Sequence, residues 1–155
     1  MLKTGDTTKS FYTGTIWKIV VLRFKHFAMR IFNIFFVIIF ILFAALQYND
    51  PDPYIWVPIY LYAAFLCYRA IKKRYNPILY SVGFVILSLY AAYLFFDKTG
   101  VLDWAEKHGA ENIAQTMKAT KPWIEETREF GGLAIILIVM AINFFSLRLN
   151  KKATV

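Results

Sequence analysis

The sequence predicts an all-α protein, an integral membrane four-helix bundle with both termini in the cytoplasm and a short helical loop on the outer face. Three observations lead to this prediction. The chain is 59% hydrophobic with a mean hydropathy of +0.48, which exceeds what a small soluble domain buries. Its charged residues are absent from four long stretches. Its Lys and Arg residues gather on one side of those stretches.

The four stretches without Asp, Glu, Lys or Arg are residues 31–49, 53–68, 75–96 and 130–147. A helix needs about 20 apolar residues to cross the hydrocarbon core, and the second stretch reaches that length if Arg69 extends its charged end toward the interface. We therefore predict spans over about 31–49, 53–71, 76–96 and 130–147. A soluble bundle would carry polar residues every three or four positions, and these stretches do not.

The spans define a transmembrane domain over 29–149, preceded by an N-terminal extension (1–28) and followed by a short tail (150–155). The first span is not a removable signal peptide, because it begins about 30 residues into the chain and lacks a small-residue cleavage pattern. The large loop between the third and fourth spans covers 97–129. Five tyrosines near the span ends are expected to anchor the helices at the membrane interface: Tyr54, Tyr60, Tyr75, Tyr80 and Tyr93.

Orientation follows from the basic residues. Thirteen of the 18 Lys and Arg residues lie in the N-terminal segment, the 69–74 link and the C-terminal tail, and five lie in 97–130. The positive-inside rule then predicts cytoplasmic termini. The net charge of +8 favours anionic lipids on the cytoplasmic side. It does not indicate nucleic-acid binding, because the basic residues flank spans and form no separate basic domain.

Two segments need local interpretation. Residues 16–27 place basic residues and apolar residues on different sides of a helix, which predicts either an in-plane interfacial helix or a cytoplasmic extension of the first span. The short link RAIKKRYNP predicts that the second and third spans form an antiparallel hairpin, with Asn76 as the cap and Pro77 in the first turn.

The sequence of the large loop predicts further helices. VLDWAEKHG and AENIAQTMK each have the pattern of a short helix, and Gly109 separates them. The fourth long helix is expected to begin near Pro122, outside the membrane. Its first two turns would then carry Glu125, Glu126, Arg128 and Glu129. Glu125 would share a face with Arg128 (i, i+3) or with Glu129 (i, i+4).

Polar residues inside the spans are few and uncharged: Asn33, Ser81, Ser88 and Asn143. Ion and proton pathways usually contain an ionisable residue at depth, so hydrogen bonding between helices is the simpler interpretation. A channel or carrier would require an oligomer whose pore is lined by Asn33 or Asn143. The single cysteine, Cys67, is interpreted as a small packing residue.

The outer face collects carboxylates from the hinge and the large loop. One interpretation is that these oxygens bind Ca²⁺ or Mg²⁺, with His108 as an added nitrogen ligand. The other is structural: Asp52 caps the second span, Asn49 and Asp50 form turn hydrogen bonds, and the glutamates are solvated. No catalytic or metal-binding motif occurs, so no catalytic residue, metal or cofactor is assigned.

Two strings carry a resemblance, LQYNDPDPYIWVPIY at 46–60 and ENIAQTMKATKPWIEETREFGGL at 111–133. Together they resemble the transmembrane protein 220 family of small four-helix membrane proteins, over about 29–149. The sequence of these strings is similar to that of a bacterial member of the family. This similarity implies that the protein lies in the inner membrane with the large loop in the periplasm. By this resemblance, the outer-face polar site comprises Gln47, Asn49, Asp50, Asp52, Glu111, Asn112, Gln115, Lys118, Trp123, Glu125, Arg128 and Glu129.

The resemblance implies a fold without a particular activity, so function is argued from size and chemistry. We expect a non-catalytic accessory or scaffold subunit in preference to an enzyme. Its partner would be a larger membrane protein or further copies of the same chain. The alternative is a small membrane-embedded enzyme or a divalent-cation-dependent lipid binder that uses the outer-face carboxylates.

Overall fold

The structure, a computed structural model, describes residues 5–74, 76–113 and 121–152 of the chain. Its elements in order are α1 (Gly5–Leu46), a 3₁₀ turn (Gln47–Asn49), α2 (Pro53–Ile71), α3 (Pro77–Phe96), α4 (Val101–Glu106) and α5 (Pro122–Lys152). These ranges contain no β-strand. Four segments are long and apolar enough to cross a membrane: Arg23–Leu46, Pro53–Ile71, Pro77–Glu106 and Pro122–Ser146. The predicted all-α architecture with four spans is confirmed.

Prolines mark three helix starts, because a proline in the first turn removes an N–H that would have no helical partner. Pro53, Pro77 and Pro122 each open a helix. Asn76 caps α3 as predicted, since its Oδ1 accepts a hydrogen bond from the Ile78 N–H at 3.0 Å. Asp52 differs from expectation. It holds the cap position of α2, but its side chain makes no capping hydrogen bond among the described residues.

Helix α1 is much longer than a membrane span. It continues without interruption from Gly5 to Leu46, so residues 16–27 belong to the same helix as the first span. That continuity is the arrangement expected of an extension of the span. The side chains of Trp17, Phe24 and Phe27 on this extension are exposed.

The four long helices form two packed pairs. α1 packs along α2, α3 packs along α5, and contact between α2 and α5 joins the pairs. The core lies where they meet and includes Phe40 of α1, Trp56 of α2 and Leu133 of α5, all buried. The outward side chains of the spans are large and apolar, as a lipid-facing surface requires.

Tyrosine side chains connect α2 to α3 at two levels. The Tyr62 hydroxyl donates to the Leu79 carbonyl at 2.6 Å, and the Tyr80 hydroxyl donates back to the Leu66 carbonyl at 3.0 Å. This reciprocal pair supports the predicted hairpin. It also corrects the expectation that tyrosines near span ends are interfacial anchors, because Tyr80 is buried in the bundle.

The same correction applies to Tyr60, which is buried and packs against the rings of Phe43 and Trp56. Tyr54 and Tyr93 are exposed, in agreement with an anchoring position, and Tyr75 lies outside the described residues. Whether a tyrosine is buried depends on the helix face that it occupies. Its distance from the end of the span does not predict that face.

The large loop contains one described short helix where two were predicted. α4 covers Val101–Glu106, within the first predicted segment. The second segment does not begin as a helix: Gly109 and Ala110 both adopt positive φ angles (58° and 52°), which α-helical residues do not. The Ala110 N–H instead donates to the Trp104 carbonyl at 3.1 Å, which turns the chain back. Residues 114–120 lie outside the described part of the loop.

Candidate functional site on the outer face

The polar site proposed from the sequence lies at one end of the bundle, around the start of α2, the end of α3 and the start of α5. Of its twelve residues, Gln115 and Lys118 fall outside the described residues, and so does the side chain of Asn49. Asn112 is exposed. The other described side chains divide into a loop cluster around Trp123, a contact between Glu129 and α2, and an acidic edge at the hinge. Glu126, which was not among the twelve, makes a further contact with Thr99.

The loop cluster is organised by the Glu111 carboxylate. Lys121 Nζ lies 2.8 Å from its Oε2 and 3.0 Å from its Oε1, and the Trp123 indole N–H donates to Oε1 at 2.6 Å. The hydrogen bonds from Lys121 and Trp123 lower the pKa of the Glu111 carboxyl below its usual range. Glu111 therefore links the loop to the start of α5.

The face of the Trp123 ring is also covered. The His108 imidazole stacks on it with ring centres 3.6 Å apart and planes 2° apart. His108 Nε2 lies 3.3 Å from an Asp103 oxygen, and Lys107 Nζ contacts the other oxygen of Asp103 at 2.6 Å. Trp104 adds a further connection by donating to the Glu111 carbonyl at 2.9 Å. His108, considered from the sequence as a metal ligand, is thus a stacking residue of the loop.

Beneath the loop, Glu129 of α5 meets Trp56 of α2. The Trp56 indole N–H donates to Glu129 Oε1 at 2.8 Å, and Trp56 is 2% exposed. Glu129 is half-buried, and a hydrogen bond to a carboxylate at a partly buried site is stronger than one in water. This contact connects two helices across the core, 73 positions apart in the chain.

A second connection joins the end of α3 to α5. The Thr99 hydroxyl donates to Glu126 Oε1 at 2.5 Å and lies 3.4 Å from Asp97 Oδ2. A hydroxyl has one hydrogen, so it satisfies only one of the two carboxylates. The other Glu126 oxygen, Oε2, is buried with no hydrogen-bond partner in the described structure.

Arg128 contacts the middle of the loop. Its Nε donates to the Ile113 carbonyl at 2.5 Å, so this arginine contacts backbone of the loop as well as lying one turn from Glu125. Thr127, also buried, donates to the Trp123 carbonyl one turn before it. The first two turns of α5 therefore present side chains to the loop and to the bundle at once.

The hinge residues form a separate, acidic edge. Gln47 closes the turn through its carbonyl, which accepts from the Asp50 N–H at 3.1 Å. Asp50 is exposed, whereas Asp52 and Glu125 are half-buried. The charges of Asp52 and Asp50 both act on Glu125, so the three carboxylates share one region. Within the described ranges, no three His, Cys, Asp or Glu side chains are grouped closely enough to hold a metal ion.

Sequence reasoning missed several residues that build this face. Trp56, Asp97, Thr99, Trp104 and Glu126 were not among the proposed site residues. Trp56 donates to the Glu129 carboxylate and Trp104 donates to the Glu111 backbone carbonyl. Thr99 lies between Asp97 and Glu126. One signal was available for Trp56, because it follows Asp52 by one helical turn and so occupies the same face. Asp97 and Thr99 carried no comparable signal, since their role depends on where α5 passes α3.

A second polar cluster lies inside the spans. Asn143 Nδ2 of α5 donates to Asn33 Oδ1 of α1 at 2.8 Å and lies 3.8 Å from Cys67 Sγ of α2. Asn33 in turn donates to the Met29 carbonyl at 2.8 Å. All three side chains are buried, which agrees with hydrogen bonding between helices. It disagrees with a pore lined by these asparagines, because both face the interior of one chain.

Comparison with known proteins completes the description of the site. No curated protein and no solved structure matches the chain. The family model described as "Transmembrane family 220, helix" matches residues 39–145. That range begins within α1, ends within α5 and includes all twelve residues of the proposed outer-face site. The chain therefore belongs to transmembrane family 220.

Proposed function

We propose that this small membrane protein is a non-catalytic accessory or scaffold subunit of a larger membrane complex. The observation that carries the proposal is that polar groups of the outer-face site form hydrogen bonds within the chain. Glu111 and Arg128 form bonds between the loop and α5, and Glu129 forms a bond between α5 and α2, so all three side chains are engaged within the chain. Side chains engaged in this way build a rigid outer cap and are not poised around an open reaction site.

The acidic edge, which consists of Asp50, Asp52 and Glu125, is not part of this cap and is available for docking of a partner. These carboxylates sit beside the outer end of the bundle, where an approaching membrane protein would meet them first. We propose that the partner is a larger integral membrane protein with a basic segment at this level, because opposite charges favour and orient docking. The apolar outward faces of the spans supply the accompanying contact area.

We further propose that the protein resides in a bacterial inner membrane with both termini in the cytoplasm and the large loop in the periplasm. The excess of Lys and Arg on the side of the termini supports this orientation. The same basic residues would bind anionic lipids of the cytoplasmic leaflet.

The test is the native mass of the protein, tagged at its own locus and extracted in mild detergent. We expect a stoichiometric complex that contains a second, larger polypeptide. The double variant Asp50→Asn, Glu125→Gln should release that polypeptide, whereas the control Glu106→Gln, at an exposed loop position, should not. A protein that migrates alone or only with its own copies would overturn the accessory role. So would a complex that is indifferent to the double variant.

One feature favours the alternative, a divalent-cation-dependent lipid binder or small membrane-embedded enzyme. Glu126 and Asp97 share a single hydroxyl donor, Thr99, and one Glu126 oxygen is buried without a partner in the described structure. Two carboxylates and a hydroxyl are ligands that Ca²⁺ and Mg²⁺ accept. Calorimetric titration of the purified protein with each ion tests this role. Binding that Glu126→Gln abolishes and Glu106→Gln preserves would support the alternative, and the absence of heat would reject it.

A further inference from the structure

The link between α2 and α3 is a turn whose side chains are strongly basic. It contains Arg69, Lys72, Lys73 and Arg74, which we name the basic turn. Lys72, Lys73 and Arg74 are exposed, and Arg69 is half-buried. The sequence has no Asp or Glu in 53–96, and the salt bridges of the described residues all join residues of the large loop. Within the described ranges, no carboxylate therefore forms a salt bridge with the basic turn.

The backbone of the basic turn places Lys73 in a left-handed conformation. The Arg74 N–H donates to the Arg69 carbonyl at 2.9 Å, and the Lys73 N–H donates to the Ala70 carbonyl at 3.0 Å. This pair of bonds is the Schellman arrangement that ends many helices, and its left-handed position favours glycine or asparagine. Lys73 occupies that position with a φ of 55°. A lysine there costs conformational energy that glycine does not.

Two of the basic side chains lean back along α2 into the membrane boundary. The Arg69 guanidinium carbon lies 5.6 Å from the centre of the Phe65 ring, and Lys72 Nζ lies 5.7 Å from the centre of the Tyr68 ring. Helical side chains tilt toward the N-terminus, and for α2 this direction leads from the turn into the span. Phe65 and Tyr68 are both exposed on the surface of the span, which lipid covers. The two cations therefore lie at the lipid-facing edge of α2.

The turn itself holds the Arg69 guanidinium in position. Its Nε donates to the Arg74 carbonyl at 3.2 Å. A guanidinium has five N–H donors, and this bond uses one of them. The planar group binds phosphate oxygens through pairs of N–H donors, and an ammonium adds a compact positive charge. The basic turn thus combines a positioned guanidinium with the ammonium groups of Lys72 and Lys73.

Cations at the end of a helix also stabilise it without any ligand, because they oppose the negative end of the helix dipole. This effect accounts for Arg69 and Lys72, which lie in the last turn of α2 and at its cap. It does not account for Lys73, because glycine or asparagine would close the same turn at a lower conformational cost. The charge at position 73 thus indicates a contact outside the chain.

We infer that the basic turn binds the phosphate headgroup of an anionic phospholipid, with Arg69 and Lys72 at the phosphate and Lys73 beside it. Lipid is the occupant because the first two cations lie over rings that lipid covers, at the boundary of the span. Basic residues at this level attract anionic headgroups. The inference rests on the part of the proposed function that assigns anionic lipids to the basic side, and it narrows that contact to one site. It is independent of the accessory role, which uses the acidic edge at the other end of the bundle.

The test is lipid retention by purified full-length protein, weighed in its native state after release from mixed micelles of phosphatidylcholine and phosphatidylglycerol. The parent should retain phosphatidylglycerol in preference, and Lys73→Gly and Lys72→Gln should each retain several-fold less. Lys25→Gln removes the same charge from an exposed position at the same end of the bundle, so this matched control should behave like the parent. An equal loss in Lys25→Gln would show diffuse attraction by net charge and overturn the site. Unchanged retention in Lys73→Gly would do the same.

A second measurement separates the charge of Lys73 from its backbone conformation. Lys73→Gly should raise the midpoint of thermal unfolding in phosphatidylcholine micelles by about 2–4 °C, because glycine adopts a φ of 55° without strain. Lys73→Arg keeps both the charge and the strain, so lipid retention and the midpoint should match the parent. A variant that loses lipid while it gains stability has not lost lipid by unfolding. A lower midpoint for Lys73→Gly would contradict the account of position 73.

Two further results would identify a different ligand. If millimolar inorganic phosphate displaces phosphatidylglycerol and raises the midpoint as much as the lipid does, the turn is a site for free anions and the inference is wrong. If Lys73→Gly releases the larger polypeptide of the native complex and leaves lipid retention unchanged, the turn binds an acidic protein, which also rejects it. Failure of the accessory role is separate, because the acidic-edge variant reports it and the lipid retention of the purified protein does not change.

Discussion

At the scale of single residues, Trp123 determines how the outer loop is held. Its indole N–H binds Glu111, its ring face stacks on His108, and Lys121 Nζ lies 5.6 Å from the ring centre. An aromatic ring with a hydrogen-bond donor at its edge can satisfy apolar and polar neighbours at once. One residue therefore joins three positions of the loop to the first turn of α5.

Glu111 should make the docking of the loop depend on pH. Lys121 and Trp123 lower the pKa of this carboxyl from its ordinary value of 4.5, so the ionised form stabilises the docked loop at pH values above 4.5. The stabilisation is lost as pH falls through the lowered pKa. We expect tryptophan emission, measured in a Trp17→Phe background, to shift to the red only in that acidic range.

The variant Glu111→Ala should show the red-shifted emission already at pH 7, because both hydrogen bonds to the carboxylate are gone. Glu106→Ala, at an exposed position in the same loop, serves as the control and should behave like the parent. Identical emission of Glu111→Ala and the parent at pH 7 would contradict the role assigned to Glu111.

Trp56 should contribute to stability through its hydrogen bond as well as its packing. Trp56→Phe leaves the Glu129 carboxylate without its indole donor, and an unsatisfied buried acceptor costs about 1–3 kcal/mol. The same change at the exposed Trp17 is the control and should have little effect on the apparent free energy of unfolding in mixed micelles. Adding Glu129→Gln to Trp56→Phe should recover part of the loss, since the amide carries no charge. Equal losses at positions 56 and 17 would count against this account.

At the scale of helices, close approach of α2 and α5 depends on a residue without a side chain. A Cβ built on Gly132 would lie 2.5 Å from the Tyr60 hydroxyl oxygen, which is closer than such atoms approach. The adjacent Gly131 has open space around its Cβ position. Tyr60 cannot move aside easily, because rings of Phe43 and Trp56 pack against it.

Gly132→Ala should therefore destabilise the bundle by about 1–3 kcal/mol, the range typical of overpacking. Gly131→Ala is the matched control and should be neutral or stabilising by up to about 1 kcal/mol, because alanine favours helix over glycine. Thermal unfolding in detergent measures both. Tyr60→Phe removes the oxygen that clashes and should rescue Gly132→Ala; a failure of rescue would show that another contact limits this site.

The asparagine pair between α1 and α5 should couple the two helices weakly. Asn33→Ala and Asn143→Ala each remove one side of the same hydrogen bond, so the double variant should lose less than the sum of the singles. Comparable pairs inside membranes give coupling energies of about 0.6 kcal/mol, with a maximum near 1.7. Ser81→Ala, at an exposed position on α3, is the control. Strictly additive losses would show that the pair contributes no net stabilisation.

At the scale of the whole molecule, the charge distribution predicts which ends face the cytoplasm. Single cysteines in a Cys67→Ala background report this orientation. Lys107→Cys, in the outer loop, should react with a membrane-impermeant maleimide on intact cells, whereas Arg74→Cys, in the link between α2 and α3, should react only after permeabilisation. Both positions are exposed in the structure, so access to the reagent depends on the side of the membrane. The reverse pattern would invert the proposed topology.

Much of the fold follows from local sequence signals. The charge-free stretches identified the four spans, the prolines at 77 and 122 marked helix starts, and Asn76 was recognised as a cap. Local signals were less reliable in the loop, where the helical pattern of AENIAQTMK is interrupted at Ala110. There the contacts of Trp104 decide the chain path, and local propensity does not contain them.

The membrane class and the number of spans can be derived from the amino-acid sequence alone, because burial in lipid dictates long apolar helices and excludes charge from them. The contacts that the polar groups make can be derived only from the packed helices. Pairs such as Trp56 with Glu129 and Asn33 with Asn143 lie 73 and 110 positions apart in the chain. Their meeting depends on the relative rotation and height of packed helices. Side-chain packing sets these quantities, and the period of apolar residues along one helix does not encode them.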